Sequence, residues 1–157
     1  MGVAGGPQCS ANRCSYTPGT QIIMWQWGQN DQNWSQAIPG GPQHIVNMFG
    51  SPVSGAGFCL HPSGSTNGSN MTIRACNATS SIDNWTIQSA ESLQAWQFSG
   101  CFIFRNQLSQ KVLAVYQGNV FNGALVIQYA LCQPGSNACG NPSNAFHADQ
   151  FWCPWTV

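Results

Sequence analysis

Charged residues are scarce in this chain, since only 5% of its 157 residues are Asp, Glu, Lys or Arg, against about a quarter in ordinary soluble domains. Four basic and four acidic residues give a formal net charge of zero. Nucleic acids and anionic lipid surfaces are bound through clustered Lys and Arg, so the composition argues against both kinds of partner. No apolar run approaches the ~18 residues of a membrane span, so we expect no membrane insertion.

Motifs for metals, cofactors and targeting are also lacking. No Cys-x2-Cys pair is present and the three histidines are scattered, so we expect no zinc site, no other metal and no cofactor. The glycine-rich segment 2–6 lacks the Lys and the flanking strand of a phosphate-binding loop. Segment 1–6 lacks the basic start and apolar run of a signal peptide, which indicates that a signal was removed or that the sequence begins after it.

Carboxylates are too few to form an obvious catalytic pair. Three of the four lie next to or within a Trp motif that recurs along the chain, so their repetition is explained by the fold. The histidines have no Ser or Cys partner at a recognised spacing. We therefore expect a protein that is not an enzyme, with a glycosidase pair as a remote alternative. The four carboxylates are Asp31, Asp83, Glu91 and Asp149.

Helical periodicity is absent too, and the pattern that is present is a β pattern. Apolar residues come in bursts of about four to eight, rich in Ile, Val, Phe and Trp and bounded by Gly, Pro, Asn and Ser. Residues 132–147, which carry two cysteines, are predicted to be an insertion loop. The predicted strands are 22–27, 44–48, 57–61, 71–75, 85–89, 95–98, 101–104, 112–116, 125–131 and 151–155.

Three stretches of the chain share one plan: a Gly turn, an apolar strand, a gap and then a Trp. The Trp-to-Trp intervals are 51 and 67 residues, and the second approaches the first once the insertion loop is set aside. Three units of about 45–50 residues, with about four strands each, fit a closed pseudo-threefold barrel. We therefore expect one all-β domain over residues 1–157, with repeats at 1–43, 44–98 and 99–157. The turns and tryptophans are Gly19 and Trp34, Gly68 and Trp85, and Gly123 and Trp152.

The residues around these tryptophans resemble the ricin-B-like β-trefoils of the R-type lectin family, whose mark is a Gln-x-Trp near the end of each repeat. Gln32-Asn33-Trp34 and Gln150-Phe151-Trp152 match this mark, whereas Asp83-Asn84-Trp85 departs from it at the Gln. A further Gln94-Ala95-Trp96 lies between repeats two and three. The resemblance covers residues 44–157 well and 9–43 in part, since the first strand of repeat one is not recognisable. It implies a β-trefoil in which the repeated tryptophans are core residues.

Eight cysteines in a low-charge chain predict disulfides, an oxidising compartment and hence a secreted protein. The family joins its Cys-Leu-Asp step to a later cysteine, and Cys59-Leu60-His61 with Cys76 is similar to that arrangement. The same repeat frame favours three further pairs, although eight cysteines allow 105 connectivities. These pairs are Cys101–Cys153, Cys132–Cys139 and Cys9–Cys14.

Five Asn-x-Ser/Thr sequons make glycosylation an expectation for a secreted protein. Asn33 and Asn84 each precede a Trp that we expect to be buried. We therefore favour Asn67, Asn70 and Asn77 as the modified residues.

R-type lectins hold a sugar between an Asp at the end of Cys-Leu-Asp, an aromatic ring on the next strand and an Asn beside the Gln of Gln-x-Trp. No repeat here keeps that Asp, because the sequence places Ala11, His61 and Ala114 there. The aromatic position holds Trp25, Arg74 and Tyr129, and the Asn position holds Asp31, Ile82 and Asp149. The resemblance thus implies altered sugar sites in repeats one and three only. Their residues are Trp25, Asp31 and Gln32, and Tyr129, Asp149 and Gln150.

Glycan binding by a secreted lectin-like module is our first expectation of function. The runner-up is an accessory subunit that binds no sugar and docks on a larger secreted protein, as trefoil light subunits do beside some fungal copper oxidases. Seven Trp and eight Phe exceed what one small core needs, which favours exposed apolar surface for such a partner. A protease inhibitor that acts through loop 132–147 is a remote third possibility.

Overall fold

A computed structural model shows a chain built from short strands that are joined by turns and short 3-10 helices. The strands are β1 (Gly2–Val3), β2 (Gln8–Ser10), β3 (Arg13–Ser15), β4 (Ile22–Ile23), β5 (Trp34–Gln36), β6 (Gln43–Asn47), β7 (Phe58–Pro62), β8 (Ser69–Ala75), β9 (Asn84–Ser89), β10 (Phe102–Asn106), β11 (Val112–Val115) and β12 (Val126–Tyr129). Of residues 8–10, 13–15, 36 and 43 only the backbone is described. The described residues are 1–5, 8–10, 13–24, 32, 34–36, 43–47, 57–77, 79–119, 121–137, 139 and 145–153.

The strands follow one plan, which repeat two shows in full. Its middle strands β7 and β8 form an antiparallel hairpin, and its first and last strands, β6 and β9, pair with each other. Repeat three has β10, the hairpin β11–β12, and a fourth position at Trp152 that bridges to Phe102 of β10. Repeat one supplies the hairpin β1–β4 and the strand β5. Neighbouring repeats are joined by β5–β6 and β9–β10, so three similar units share one β structure.

The three Gly turns close a ring about the pseudo-threefold axis. Each turn donates its glycine N–H to a carbonyl in or directly after a strand of the following repeat, and the third turn returns to the first repeat. All three glycines have positive φ, of 87°, 82° and 90° in chain order, a conformation in which any Cβ is strained. The bonds are Gly19 to Ile73 at 2.8 Å, Gly68 to Gln128 at 2.9 Å and Gly123 to Met24 at 2.8 Å.

The three repeated tryptophans are anchored in the same way as one another. Each indole Nε1–H donates to a backbone carbonyl in or beside the second strand of its own repeat, at 3.1 to 3.3 Å. Trp85 is fully buried, and Trp34 and Trp152 pack against the same core cluster. The tryptophans are therefore scaffold, as the resemblance implies. The acceptors are Met1 for Trp34, Leu60 for Trp85 and Leu113 for Trp152.

This correspondence also aligns the second strands of the three repeats. Because Met1 matches Leu60 and Leu113, the next residue, Gly2, occupies the position of His61 and Ala114. Ala11, which the sequence assigns to that position, lies outside the described residues. The β2–β3 hairpin, which the sequence does not predict, is inserted between β1 and β4.

Two buried clusters fill the interior. The larger contains residues of all three hairpins, among them Ile22, Leu60 and Val126. The smaller lies under repeat three, where the ring of Phe151 stacks on Phe98 with centroids 4.2 Å apart. Three repeats arranged around a common core in this way are a β-trefoil, which confirms the predicted fold class.

Most predicted strands are present with shifted ends, but the predicted strand 95–98 is wrong. Trp96–Phe98 is a 3-10 turn, and Trp96 is 67% exposed, so the Gln-x-Trp there does not mark a repeat. The sequence misses β1, β2, β3 and β5 because strands of two or three residues are too short to show alternation. The predicted strand residues 25–27, 48, 154 and 155 lie outside the described residues.

Three disulfides cross-link the described part of the chain, and they are the expected pairs Cys59–Cys76, Cys101–Cys153 and Cys132–Cys139. Cys9 and Cys14 face each other across β2 and β3, but a bond between their side chains lies outside what the structure describes. Disulfides indicate an oxidising, extracellular type of compartment. Among the described residues no helix has the length and apolar character needed to cross a membrane.

Candidate functional site: a cleft in the third repeat

Repeat three carries a cleft of about 450 Å³ that brings the predicted residues Tyr129, Asp149 and Gln150 together. Tyr129 ends β12, where the side chain is half-buried, and the two others belong to the 3-10 turn Ala148–Gln150. The disulfide Cys132–Cys139 forms part of the wall, while Val115 and Ile127 add apolar surface. An aromatic ring and a carboxylate therefore face one concave, largely apolar space, which is the usual character of a small-ligand site.

Gln150 positions this turn. The side chain is 1% exposed, its Nε2 donates to the Ala130 carbonyl at 2.9 Å, and its Oε1 accepts from the Cys132 N–H at 2.8 Å. The amide thus satisfies both a donor and an acceptor of the chain that leaves β12. Gln150 is a positioning residue that holds Asp149, its neighbour, against the segment after Tyr129.

Asp149 is the acidic group of the cleft, and its side chain is 21% exposed. Desolvation by burial raises the pKa of this carboxyl above its usual 3.8, while its backbone hydrogen bond and the nearby His147 act in the opposite direction. The Nδ1 atom of His147 is 3.9 Å from Oδ1 of Asp149, too far for a hydrogen bond. His147 therefore does not occupy the carboxylate by a hydrogen bond, and part of the Asp149 side chain stays exposed in the cleft.

The turn Tyr116–Gly118 forms the opposite side of the cleft, and the sequence does not identify it as part of a site. Gln117 and Gly118 both have positive φ, of 55° and 67°. A Cβ at Gly118 would lie 3.9 Å from Cβ of Asp149, so the turn passes close to the carboxylate. The Tyr-Gln-Gly sequence directly after an apolar strand is the signal that could have indicated it. Tyr116, 44% exposed, is a second aromatic side chain beside the cleft.

The corresponding place in repeat two is filled by protein side chains. His61 Nδ1 is 2.6 Å from Asp83 Oδ1, and Arg74 Nη1 is 3.1 Å from His61 Nε2. Because arginine can only donate, Nε2 must accept and Nδ1 must carry the proton shared with Asp83. Asp83, which replaces the Gln of the motif, is fully buried. The titratable side chains at this place in repeat two are therefore engaged with one another.

Repeat one is described only in part. Gln32 is 6% exposed, as expected for the Gln of the motif. Trp25 and Asp31, the other predicted site residues of this repeat, lie outside the described residues.

A group of potential metal ligands occurs away from the cleft. His44, Cys59 and Cys76 have ligand atoms within 4.8 Å of one another. Both sulfur atoms belong to the Cys59–Cys76 disulfide, so neither is a thiolate able to bind a metal.

The three favoured sequons differ in exposure. Asn67 and Asn77 are exposed, whereas Asn70 is half-buried. The Oδ1 atom of Asn77 accepts from the N–H and the hydroxyl of Thr79, which leaves its amide nitrogen without a partner among the described residues. Glycosylation at all three residues stays a prediction.

Comparison with known proteins identifies the fold. No protein-family model and no curated protein matches the chain. The structure is similar to a designed 3-fold symmetric protein, ThreeFoil, with a TM-score of 0.63 and 18% identity over 87% of this chain and 81% of that protein. It is also similar to a mosquitocidal holotoxin, with a TM-score of 0.61 and 17% identity over 90% of this chain but only 15% of the toxin chain. At these identities the likeness is one of fold alone, and the fold is a pseudo-threefold β-trefoil.

Proposed function

We propose that the protein is a secreted glycan-binding module that uses the third-repeat cleft. The observation that carries the proposal is that Tyr129 and Asp149 line the same cleft, whose volume is about 450 Å³. A pyranose presents an apolar face of C–H groups and an edge of hydroxyl groups. The ring of Tyr129 suits the first, and the carboxylate of Asp149 can accept hydrogen bonds from the second.

The same residues suit a binding function without catalysis. Among the described residues, Asp149 is the only carboxylate that lines the cleft, so it has no second carboxyl group there for glycoside hydrolysis. No serine, threonine or free thiol is among the described residues that line the cleft beside His147, since both cysteines there form a disulfide. These features support a proposal of binding alone, as the lectin-like sequence pattern implies.

A glycan array probed with the pure protein tests the proposal. We expect Tyr129→Ala and Asp149→Asn each to weaken binding about tenfold or more, because a charge-assisted hydrogen bond or an aromatic platform is lost. Trp96→Ala is a matched control, since Trp96 is an exposed aromatic outside the cleft. A Trp25→Ala variant tests the altered site predicted for repeat one.

Two results would contradict a glycan site at this cleft. One is a wild-type protein that binds no simple or complex glycan on the array. The other is binding that survives in both Tyr129→Ala and Asp149→Asn with unchanged affinity. Loss in Trp25→Ala alone would move the site to repeat one and leave the third-repeat cleft without this role.

A second candidate function is that of an accessory subunit on a larger secreted protein. The observation that favours it is the exposure of large apolar side chains: Trp96 is 67% exposed, Phe121 62% and Leu108 56%. Purification from the native source tests it, with the expected result that a larger protein elutes together with this chain. If the chain always elutes alone at its own mass, the subunit hypothesis is wrong.

A further inference from the structure

A second cleft, of about 310 Å³, lies beside the turn that connects β10 to β11. Arg105 and Lys111 line it, and they are two of only four basic residues in the chain. None of the described residues that line it is acidic. In a protein with so few charged residues, we do not expect two of the four basic side chains to line the same cleft. The remaining polar lining residues are Ser109, Gln110 and Gln133.

Neutral groups hold Arg105 in place. Its Nε donates to Oε1 of Gln88 at 3.0 Å, and its Nη1 donates to the Gln110 carbonyl at 3.0 Å. Arg105 is half-buried, and this burial lowers the pKa of its guanidinium below the usual value. The two bonds orient the guanidinium fork but do not neutralise it, and donors of the fork remain for another acceptor.

The described carboxylates lie in other parts of the fold. Asp83 and Asp149 lie beside histidines in other parts of the fold, and Glu91 accepts bonds from a backbone N–H and a serine hydroxyl. Within the described part of the chain, neither Arg105 nor Lys111 has a carboxylate at ion-pair distance. A partly buried cation without a counter-charge is costly unless an anion supplied from outside neutralises it.

The turn that carries the cleft is pre-formed. Oδ1 of the fully buried Asn106 accepts from the N–H groups of Leu108 and Ser109, at 3.1 and 3.0 Å. Gln110 follows with a φ of +59°, a conformation that residues other than Gly rarely adopt. This strained residue presents its carbonyl to Arg105, and such strain is typical of segments whose shape serves a ligand.

We propose that this cleft binds a small oxyanion, namely a sulfate, phosphate or carboxylate group. The guanidinium of Arg105 would contact two oxygens of the anion, and the ammonium of Lys111 would approach as a mobile point charge. The hydroxyl of Ser109 and the amide of Gln133 line the same space as polar neighbours. This site is separate from the Tyr129–Asp149 pair and does not depend on the proposed glycan binding.

Titration with inorganic sulfate at constant ionic strength, followed by NMR of the backbone amides, tests the proposal. We expect saturable shifts in residues 109–111, and about tenfold weaker binding in Lys111→Gln, because one charged contact is lost. Arg105→Lys should also weaken binding, since a lysine keeps the charge but lacks the planar fork. Arg74→Gln is the matched control, because it removes one basic charge away from this cleft and should leave the affinity unchanged.

Two results would overturn the proposal: shifts that do not saturate, or the same affinity in wild type and Lys111→Gln. The amide spectrum without sulfate shows whether each variant is folded, so loss of binding and loss of structure are distinguishable. The same titration is then repeated with a sulfated disaccharide in place of inorganic sulfate. If it binds more tightly than inorganic sulfate and is equally sensitive to Lys111→Gln, the anion is carried by a saccharide, whereas equal affinities indicate a free anion.

Discussion

Asp149 and Asp83 belong to equivalent 3-10 turns, but Asp149 is the second residue of its turn and Asp83 is the third. This difference of one position gives the two side chains different surroundings. Asp149 precedes the buried Gln150 and faces a cleft, whereas Asp83 replaces that glutamine and points into the protein. Oδ2 of Asp83 is buried without a hydrogen-bond partner among the described residues. At the scale of single residues, one carboxylate is therefore available to a ligand and the other depends on His61 for compensation.

Glycan affinity should depend on pH through Asp149. Its pKa is raised above 3.8, so the carboxylate that accepts ligand hydroxyl groups is lost at a less acidic pH than for an ordinary aspartate. We expect binding to weaken as the pH falls through the raised pKa, and Asp149→Asn to bind weakly without that dependence. Binding measured by calorimetry from pH 7 to pH 3 checks this, and a wild-type profile parallel to that of Asp149→Asn would contradict it.

Through the same Asp149 carboxyl, the free energy of unfolding should change with pH in the opposite direction to the glycan affinity. A raised folded-state pKa means that folding favours the protonated acid, so its stabilising contribution is present below pH 3.8 and is lost as the pH rises through the folded pKa. Asp149→Asn should therefore melt at a higher temperature than wild type at neutral pH, with a smaller difference near pH 3. Thermal melts at both pH values check the sign.

Removal of His61 should destabilise the protein strongly. His61→Ala leaves the carboxylate of Asp83 fully buried without its 2.6 Å partner, which we expect to cost about 3 kcal/mol or more. Adding Asp83→Asn to that variant removes the charge and should recover a large part of the loss. Urea unfolding of the single and double variants measures the coupling. Additive losses would show that the pair is not coupled.

At the scale of elements, the three hairpins are held together by the ring of Gly turns. The three glycine N–H groups bond to carbonyls in or directly after a strand of the next repeat, so each hairpin is fixed by its neighbour and not by its own sequence alone. Positive φ at all three turns explains why glycine recurs there.

Gly123→Ala should test this ring. No atom lies within 4 Å of a Cβ at Gly123, so the cost is conformational, about 1–2 kcal/mol. Gly123→Asn is the matched control, since Asn tolerates positive φ and should cost less. Urea unfolding measures both variants, and equal losses would indicate that φ is not the cause.

The sequence predicts long elements with a regular buried pattern better than short turns or places where distant segments meet. The hairpins β7–β8 and β11–β12 were predictable because four to seven residues suffice to show a buried pattern. The turn Tyr116–Gly118 and the cleft beside Arg105 were not, because each is made by segments that are distant in sequence or by positive-φ residues without a distinctive pattern.

At the scale of the whole molecule, the disulfides restrain the repeats to different extents. Cys101–Cys153 joins residues 52 positions apart and so encloses almost all of repeat three, whereas Cys132–Cys139 spans only 7 positions. A longer closed loop removes more conformational entropy from the unfolded chain.

Replacement of the two bridges should therefore have unequal effects. We expect Cys101→Ala with Cys153→Ala to cost about 4 kcal/mol, and Cys132→Ala with Cys139→Ala about 2 kcal/mol. Chemical denaturation of each double variant measures the difference. A larger loss from the shorter loop would mean that contacts in the cleft wall outweigh chain entropy.

The sequence by itself determined the repeat and its pseudo-threefold all-β plan, because glycines and tryptophans recur at similar intervals. The β-trefoil and the three described cysteine pairs were implied by the resemblance to ricin-B-like trefoils, since eight cysteines alone allow 105 connectivities. It also placed Tyr129 and Asp149 at corresponding positions of a lectin-like repeat. Only the tertiary structure decided that these two side chains share a cleft and that His61 contacts both Asp83 and Arg74 in the second repeat. It also decided that Arg105 and Lys111 line one cleft beside a turn. The physical reason is that a periodic pattern specifies which side chains are buried, whereas clefts and charge pairs arise where separate segments of the chain meet.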